Sequence, residues 1–192
     1  MFKFDKLVFG DLGWGDEFLF ATLMTITVSI LSMGLGLCLA ILTVWAKLIT
    51  NKITRLIANF YTTVVRGVPE LLVIYLIFFG GNTVVMSIAK LFGYHGYIEL
   101  NALTIGTIAI AFISATYSSE VLRAAYLAVN KGQIEAAKAL GLNKFQIFFK
   151  VMGPQILRHA LPGIGNVWQI TLKDTSLISV TGLVEIMRQT RI

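Results

Sequence analysis

Charged residues are scarce in this sequence, and their scarcity limits the classes of protein that it can encode. They account for 14% of 192 residues, and the mean hydropathy is +0.79. Soluble domains carry roughly 25% charged residues, which help to cover the folded surface. The composition therefore excludes an ordinary soluble domain and indicates that lipid is the solvent for much of the chain.

Residues that carry chemistry are scarce as well. Cys38, the only cysteine, lies inside an apolar run, so the chain can form neither an internal disulfide nor a thiolate metal site. His95 and His159 are far apart in sequence and lack metal-ligand spacing. No Gly-Lys dipeptide occurs, which excludes a phosphate-binding Walker loop. We therefore predict that the protein is not an enzyme and that it holds no metal or cofactor of its own.

The net charge of +6 does not indicate a nucleic-acid partner, because the basic residues form no patch or stripe. They fall instead in two groups between apolar stretches. The groups are Lys47, Lys52 and Arg55, and then Arg123, Lys131, Lys138, Lys144, Lys150 and Arg158. Loops with this charge bias face the cytoplasm in membrane proteins. The acidic N-terminal segment is then predicted to lie on the opposite, outer side.

Apolar stretches supply the predicted membrane spans, since a helix needs about 20 residues to cross the hydrocarbon core. The spans are placed at about 18–46, 55–80, 100–123 and 156–175. The segment before the first span has no basic region of the signal-peptide kind, so this span is predicted to be a retained anchor. Small residues recur within it every four positions, at Ser32, Gly36 and Ala40, which allows a second helix to approach closely.

The second span contains two charges and a proline. Arg66 and Glu70 are spaced i, i+4, so a continuous helix would bring them close enough for an ion pair. Pro69 removes one backbone hydrogen bond and should bend or open the helix. Broken helices at membrane depth often mark substrate passages. The alternative is a structural pair that fixes a kink, and the sequence favours neither reading.

Two further sites place charge near the ends of spans. Glu120 and Arg123 are spaced i, i+3, which favours a structural clamp between them. Glu120 is also the preferred acidic contact for a cationic substrate, with Thr116 and Tyr117 nearby.

Lys173 and Asp174 interrupt the last span. A neutralised pair is the favoured reading of these two residues. The competing role is recognition of a substrate carboxylate or of a docked binding protein.

The longest cytoplasmic segment, at about 130–150, is predicted to form two short helices. Gln133 to Leu140 is rich in alanine, and Gly141 suits a left-handed cap at its end. Asn143 can cap a second helix that carries three phenylalanines on one side. Such an elbow could enter a groove on a partner protein, or it could lie on lipid headgroups.

At this segment the sequence resembles a known family. Glu135-Ala136-Ala137, followed by Gly141 and Pro154, is similar to the cytoplasmic "EAA" signature of permease subunits of ATP-binding-cassette importers. The family usually has leucine where this chain has Gly153. The resemblance implies a coupling helix that inserts into an ATPase subunit. The residues implied in this coupling are Gln133, Glu135, Ala136, Ala137, Lys138, Leu140 and Gly141.

The resemblance extends along most of the chain. Arg66 to Leu72, Tyr117 to Arg123 and Leu172 to Leu177 look like segments of polar amino acid permeases, with Glu70 resembling histidine/arginine/lysine/ornithine and octopine systems. It implies an all-α membrane fold, a single MetI-like type I importer transmembrane domain over 1–192. About four to five membrane helices are expected, with the C-terminal helix of the family missing. The substrate path is then expected to include Arg66, Pro69, Glu70, Thr116, Tyr117, Glu120, Lys173 and Asp174.

The resemblance also implies partners. They are a dimer of ABC ATPases that binds ATP and Mg²⁺, a second permease subunit (identical or homologous), a periplasmic solute-binding protein and membrane lipid. The chain itself is expected to be a multi-pass protein of the bacterial inner membrane with a periplasmic N-terminus. The alternative function is a secondary amino acid transporter driven by an ion gradient, with Glu70 and Glu120 as proton or sodium sites.

Overall fold

The computed structural model describes residues 9, 14–94, 101–181 and 186–189, and within these ranges all regular structure is helical. The predicted all-α fold is confirmed. The elements are α1 (Gly15–Leu48), α2 (Lys52–Gly67), α3 (Glu70–Leu91), α4 (Ala102–Ala128), α5 (Lys131–Ala139), α6 (Lys144–Ile147), a π-turn (Phe148–Met152), α7 (Gly153–Asp174), a 3-10 turn (Thr175–Thr181) and α8 (Ile186–Gln189). His95 and residues 1–8 lie outside the described ranges.

Helices α1 and α4 form the centre of the fold, and small residues bring them together. Ser32 and Ala40 are fully buried, and the Ser32 hydroxyl donates to the Thr107 carbonyl at 3.1 Å. A Cβ built on Gly36 would overlap the Ser114 side chain, so only glycine allows this approach. The i, i+4 pattern of small residues in the first span therefore marks the face of α1 that packs on α4.

Three described helices are long and apolar enough to cross a membrane: α1, α3 and α4. The predicted spans 18–46 and 100–123 correspond to α1 and α4. The predicted span 156–175 corresponds to α7, which is long enough but too polar to join these three, because Gln155, Asn166 and Gln169 interrupt its apolar residues.

The predicted span 55–80 is divided at Val68 and Pro69, where the sequence predicts a bent or opened helix. Both residues are extended, with ψ of 141° and 132°. A residue before proline is disfavoured from the helical region, and proline offers no N–H to continue the ladder. Pro69 instead begins a new helix, since its carbonyl accepts from the amides of Leu72 and Val73. The outcome is two helices rather than one bent helix.

The elbow, residues 130–150, has the two short helices that the sequence predicts. The Asn130 side chain caps α5 by accepting from the Gly132 amide at 2.8 Å. Gly141 has a φ of 76°, a left-handed conformation that glycine adopts without strain. Asn143 and Gln146 form a reciprocal capping box at the start of α6. These local signals explain why a polar, alanine-rich stretch folds into a fixed elbow.

A small apolar cluster attaches the elbow to the inner end of α4. Val129, Ala137, Ile147 and Met152 are buried together, with Tyr126 and Ile156 packed against them. The chain then passes through the π-turn directly into α7, which carries Asp174 at its far end. The elbow is therefore joined to the membrane helices at two places.

Candidate functional site

The elbow exposes most of its predicted coupling residues. Gln133, Glu135, Ala136, Lys138, Leu140 and Gly141 are exposed, and Leu140 reaches 81% exposure. Phe145 and Phe149 continue this surface, with their rings 4.3 Å apart. Exposed large apolar side chains on a polar elbow are the kind that partner proteins bind.

Ala137 differs from the other predicted coupling residues, because its side chain is only 4% exposed. It packs against Val129 and Ile147 in the apolar cluster beneath the elbow. The structure therefore assigns Ala137 to the support of the elbow rather than to its outer surface. A larger side chain here would have to push α5 away from α4.

Inside the membrane region, α3, α4 and α7 bring three polar side chains together. The Tyr117 hydroxyl donates to the Glu70 carboxylate at 3.1 Å. The buried Asp174 carboxyl lies near Glu70 and Tyr117, close enough for their charges to interact. We call Glu70, Tyr117 and Asp174 the acidic cluster. These residues are more than 40 positions apart in sequence, and the fold makes them neighbours.

The predicted ion pair between Arg66 and Glu70 is absent from the part of the chain that the structure describes. The break at Pro69 removes the helical register that an i, i+4 pair requires. The Arg66 guanidinium lies instead over the Tyr117 ring, 5.6 Å from its centroid, in a cation–π contact. Arg66 and Glu70 thus both contact Tyr117, from different sides.

The predicted pair of Lys173 and Asp174 is also absent among the described ion pairs. Asp174 is 6% exposed and turns towards Glu70, whereas Lys173 is exposed. Consecutive residues on a helix point about 100° apart, so both could not face one site. Two carboxylates held close together repel each other, and a nearby cation relieves this repulsion. The acidic cluster is therefore suited to receive positive charge.

Thr116 does not face the acidic cluster. Its side chain is fully buried, and its hydroxyl donates to the Ile113 carbonyl in the turn before it, at 2.7 Å. Thr116 therefore takes part in the packing of α4, and its place on the substrate path stays a prediction.

Glu120 lies in a second polar group that joins α1, α2 and α4. Its carboxylate pairs with the Lys47 ammonium and accepts from Arg123 Nε at 3.1 Å, which confirms the i, i+3 pairing. Lys47 is 8% exposed and also donates to the Thr62 hydroxyl at 2.7 Å. With both oxygens occupied by cations, Glu120 fits the predicted clamp better than a contact for a cationic substrate.

We expect Glu120→Gln to weaken the packing of α1 on α4, because the largely buried Lys47 ammonium would lose its counter-charge. Breaking a buried ion pair on one side costs about 3–5 kcal/mol. The thermal midpoint of the detergent-solubilised protein should fall by several degrees. Arg123→Gln is the matched control, since Arg123 is 43% exposed and its loss leaves the buried pair intact. Equal midpoints for the two variants would contradict this role of Lys47.

The sequence did not predict the contacts of Lys47 and Thr62 with the Glu120 group. It also did not predict the hydrogen bond from the Trp168 indole to the Ser29 hydroxyl at 3.0 Å. Lys47 offered one signal: it is the first charged residue after the longest uncharged stretch. No sequence signal marked Thr62, Trp168 or Ser29, because the partner of each side chain lies in a different helix.

Comparisons with known proteins agree with this arrangement. Residues 32–192 match the family model described as "Binding-protein-dependent transport system inner membrane component". The chain is 54% identical to the nopaline transport system permease protein of Agrobacterium fabrum, over 95% of this chain and 78% of that protein. It is 37% identical to the histidine/lysine/arginine/ornithine transport system permease protein of Escherichia coli, over 94% and 78% respectively.

A solved structure is similar as well. A chain of the crystal structure of an amino acid ABC transporter with histidines superposes with a TM-score of 0.76 at 30% identity, covering 93% of this chain and 78% of that one. The family match, the relatives and the shared fold support the permease reading and do not support the ion-coupled alternative. The chain belongs to the family of binding-protein-dependent transport system inner membrane components, and it is an ABC importer permease.

Proposed function

We propose that this permease imports polar amino acids with a cationic side chain, or opines, and that the acidic cluster is where the substrate cation passes. The observation that carries the proposal is the meeting of Glu70 and Asp174 beside Tyr117. Relatives of this chain are named for nopaline, octopine, arginine and histidine/lysine/arginine/ornithine transport. Arginine, lysine and ornithine all carry a cationic side chain.

The chemistry of the acidic cluster suits such a substrate. A guanidinium or ammonium group that enters the membrane needs hydrogen-bond acceptors to replace its lost water. Two carboxyl groups supply them, and the Tyr117 hydroxyl holds one of the two in place. Arg66 is exposed and close to Tyr117, so it can meet a substrate carboxylate at the edge of the cluster.

The energy for import would come from outside this chain. A dimer of ABC ATPases that binds ATP and Mg²⁺ would hold the elbow, and a second permease subunit would complete the path. A periplasmic solute-binding protein would deliver substrate on the side of the N-terminus. Nucleotide and substrate would each stabilise one of two states of the permease, which is all that alternating access requires.

The test is uptake by proteoliposomes that contain the permease with its ATPase, second permease and binding protein. Labelled arginine should enter only with ATP, and lysine or an opine should compete while glutamate does not. Collapse of the proton gradient should leave uptake unchanged. Uptake that needs a proton gradient, or that favours glutamate, would overturn the proposal.

A further inference from the structure

Helix α7 has three different faces. One face packs on α1 and α4, and its residues Ala160, Val167 and Thr171 are buried. A second face is apolar and exposed, and it carries Leu157 and Leu161. The third face is exposed and polar, and its residues recur every three or four positions, so they lie on one side of the helix. We call it the polar face of α7; it consists of His159, Pro162, Asn166 and Gln169.

The polar face of α7 lies at the depth of the membrane spans. The Trp168 indole of α7 donates to Ser29, which is near the middle of α1. Asn166 and Gln169 are within two positions of Trp168, so they lie at the same level. Among the described residues, their side-chain amides have no hydrogen-bond partner. Lipid or an apolar helix against this face would leave both amides unpaired, which is costly.

The backbone of α7 adds a further polar group on this side. Pro162 lies inside the helix and has no N–H to donate to the Arg158 carbonyl, one turn earlier. At membrane depth a carbonyl freed in this way needs another donor, which water in a cavity can supply. A Cβ built on Gly165, next to Asn166, meets nothing within 4 Å, so the space there is open.

Helix α2 has the same three faces. It packs on the middle of α4, where the Tyr61 hydroxyl donates to the Phe112 carbonyl at 2.6 Å. Leu56 and Phe60 are exposed on its apolar face. A separate exposed face is polar, again with intervals of three or four positions. We call it the polar face of α2; it consists of Arg55, Asn59, Thr63 and Arg66.

Both polar faces end at the acidic cluster. Arg66, the last residue of the polar face of α2, lies over the Tyr117 ring. Gln169 is followed, just over one turn later, by Asp174 at the end of α7, and the Asp174 carboxyl lies near Glu70 and Tyr117. Two helices that are separate in sequence therefore bring exposed polar groups to the same place.

Both polar faces begin on the elbow side of the molecule. Helix α7 follows the elbow directly through the π-turn. Helix α2 starts shortly after the end of α1, where Trp45 and Leu48 line an apolar groove together with Phe148 and Ile156 from the start of α7. The two polar faces therefore run from the elbow side to the acidic cluster.

We propose that the polar faces of α2 and α7 are walls of a water-filled passage, by which a polar, cationic amino acid leaves the acidic cluster towards the elbow side. The inference rests on the proposed function, because it supplies the exit from the acidic cluster. Amide and hydroxyl groups donate and accept hydrogen bonds, so they replace water around both charged ends of the substrate. The middle of the passage carries neutral groups, which bind a charged solute weakly enough to release it. These groups belong to Asn59, Thr63, Asn166 and Gln169.

The first test measures water access to single cysteines in the assembled complex, in a Cys38→Ser background. Asn166→Cys and Asn59→Cys place a thiol on each polar face. Leu161→Cys and Phe60→Cys, on the exposed apolar faces of the same helices, are the matched controls. A cationic methanethiosulfonate reagent is added to inverted vesicles in the ADP and ATP states. In at least one state it should modify the polar-face thiols roughly tenfold faster than the controls, because it reacts with thiolates, which form in water.

Other coverings of these faces would give different results. Lipid against a polar face would leave its thiol as slow as the apolar controls in both states. A second permease subunit against it would leave the thiol unreactive in the complex but reactive in the detergent-solubilised permease alone. Either result would overturn the passage.

The second test is obstruction of the passage by Asn166→Phe, with Leu161→Phe as the matched control. The first substitution places a large apolar ring on the polar face, and the second places it on the apolar face. Arginine uptake per inserted complex should fall roughly tenfold or more in Asn166→Phe, because the ring narrows the passage and removes a hydrogen-bonding group. Uptake by Leu161→Phe should stay close to wild type. Equal uptake by the two variants would contradict the proposal.

The failure of the passage and the failure of the proposed function can be told apart. If the polar-face thiols are as slow as the controls while Asp174→Asn abolishes arginine uptake, the passage is wrong and the acidic cluster keeps its role. If these thiols react fast while Asp174→Asn leaves arginine uptake normal, the passage is supported and the role of the acidic cluster is wrong.

Discussion

Asp174→Asn should nearly abolish uptake while the protein still inserts and assembles. Asparagine has almost the same shape as aspartate. It carries no negative charge, and its side chain has one acceptor oxygen where the carboxylate has two. Loss of a charged hydrogen-bond partner costs about 1.5–3 kcal/mol, or roughly 10- to 150-fold in affinity. The measurement is the concentration dependence of labelled arginine uptake in proteoliposomes, with permease content determined on the same vesicles.

Lys173→Gln is the control for this prediction. Lys173 is the adjacent residue but is exposed, whereas Asp174 is buried, so neutralisation of Lys173 should change uptake little. Glu70→Gln should reproduce the defect of Asp174→Asn, because the two carboxyl groups form one site. Normal affinity and rate in both carboxyl variants would assign the acidic cluster to structure alone.

Glu135→Lys should uncouple ATP hydrolysis from uptake. Glu135 is exposed on α5 and is the only acidic residue between Arg123 and Arg158. In this variant, a partner surface that is complementary to the Glu135 carboxylate would meet a lysine ammonium group instead. Like charges that meet at an interface cost several kcal/mol. We expect uptake to fall roughly 100-fold or more, with ATP hydrolysis no longer stimulated by the loaded binding protein.

The control for the elbow is Lys52→Glu. This substitution changes the net charge by the same amount in the opposite sense, on an exposed residue at the start of α2. Uptake should stay close to wild type. A second elbow variant, Gly141→Val, forces a β-branched residue to a φ of 76° and should also uncouple. Full transport by Glu135→Lys and Gly141→Val would contradict the coupling role of the elbow.

Local signals predicted the elbow well. Asn130, Gly141 and Asn143 act on residues within four positions of themselves, so the capped helices and the left-handed turn follow from short-range sequence. The recurrence of small residues every four positions in the first span likewise predicted close packing, because residues four positions apart lie on one face of a helix. What these signals leave out is the identity of the partner helix.

The membrane pairs could not be predicted in the same way. The i, i+4 spacing predicted an ion pair between Arg66 and Glu70. Such a pair needs an unbroken helix, and the helix ends before Pro69. The actual partner of Glu70 is Tyr117 on another helix, and the partner of Glu120 is Lys47, 73 positions away. Contacts of this kind depend on how helices pack, which sequence spacing does not encode.

The hydrogen bond between Trp168 and Ser29 provides an optical means of following transport. The indole N–H is held at 3.0 Å from a buried hydroxyl, so any separation of α7 from α1 would change the polarity around the ring and shift its fluorescence. The chain has three tryptophans, and the other two, Trp14 and Trp45, are exposed and suited to replacement by phenylalanine. A permease with Trp168 alone would then emit a signal from the helix that carries Asp174, in real time and without an attached dye.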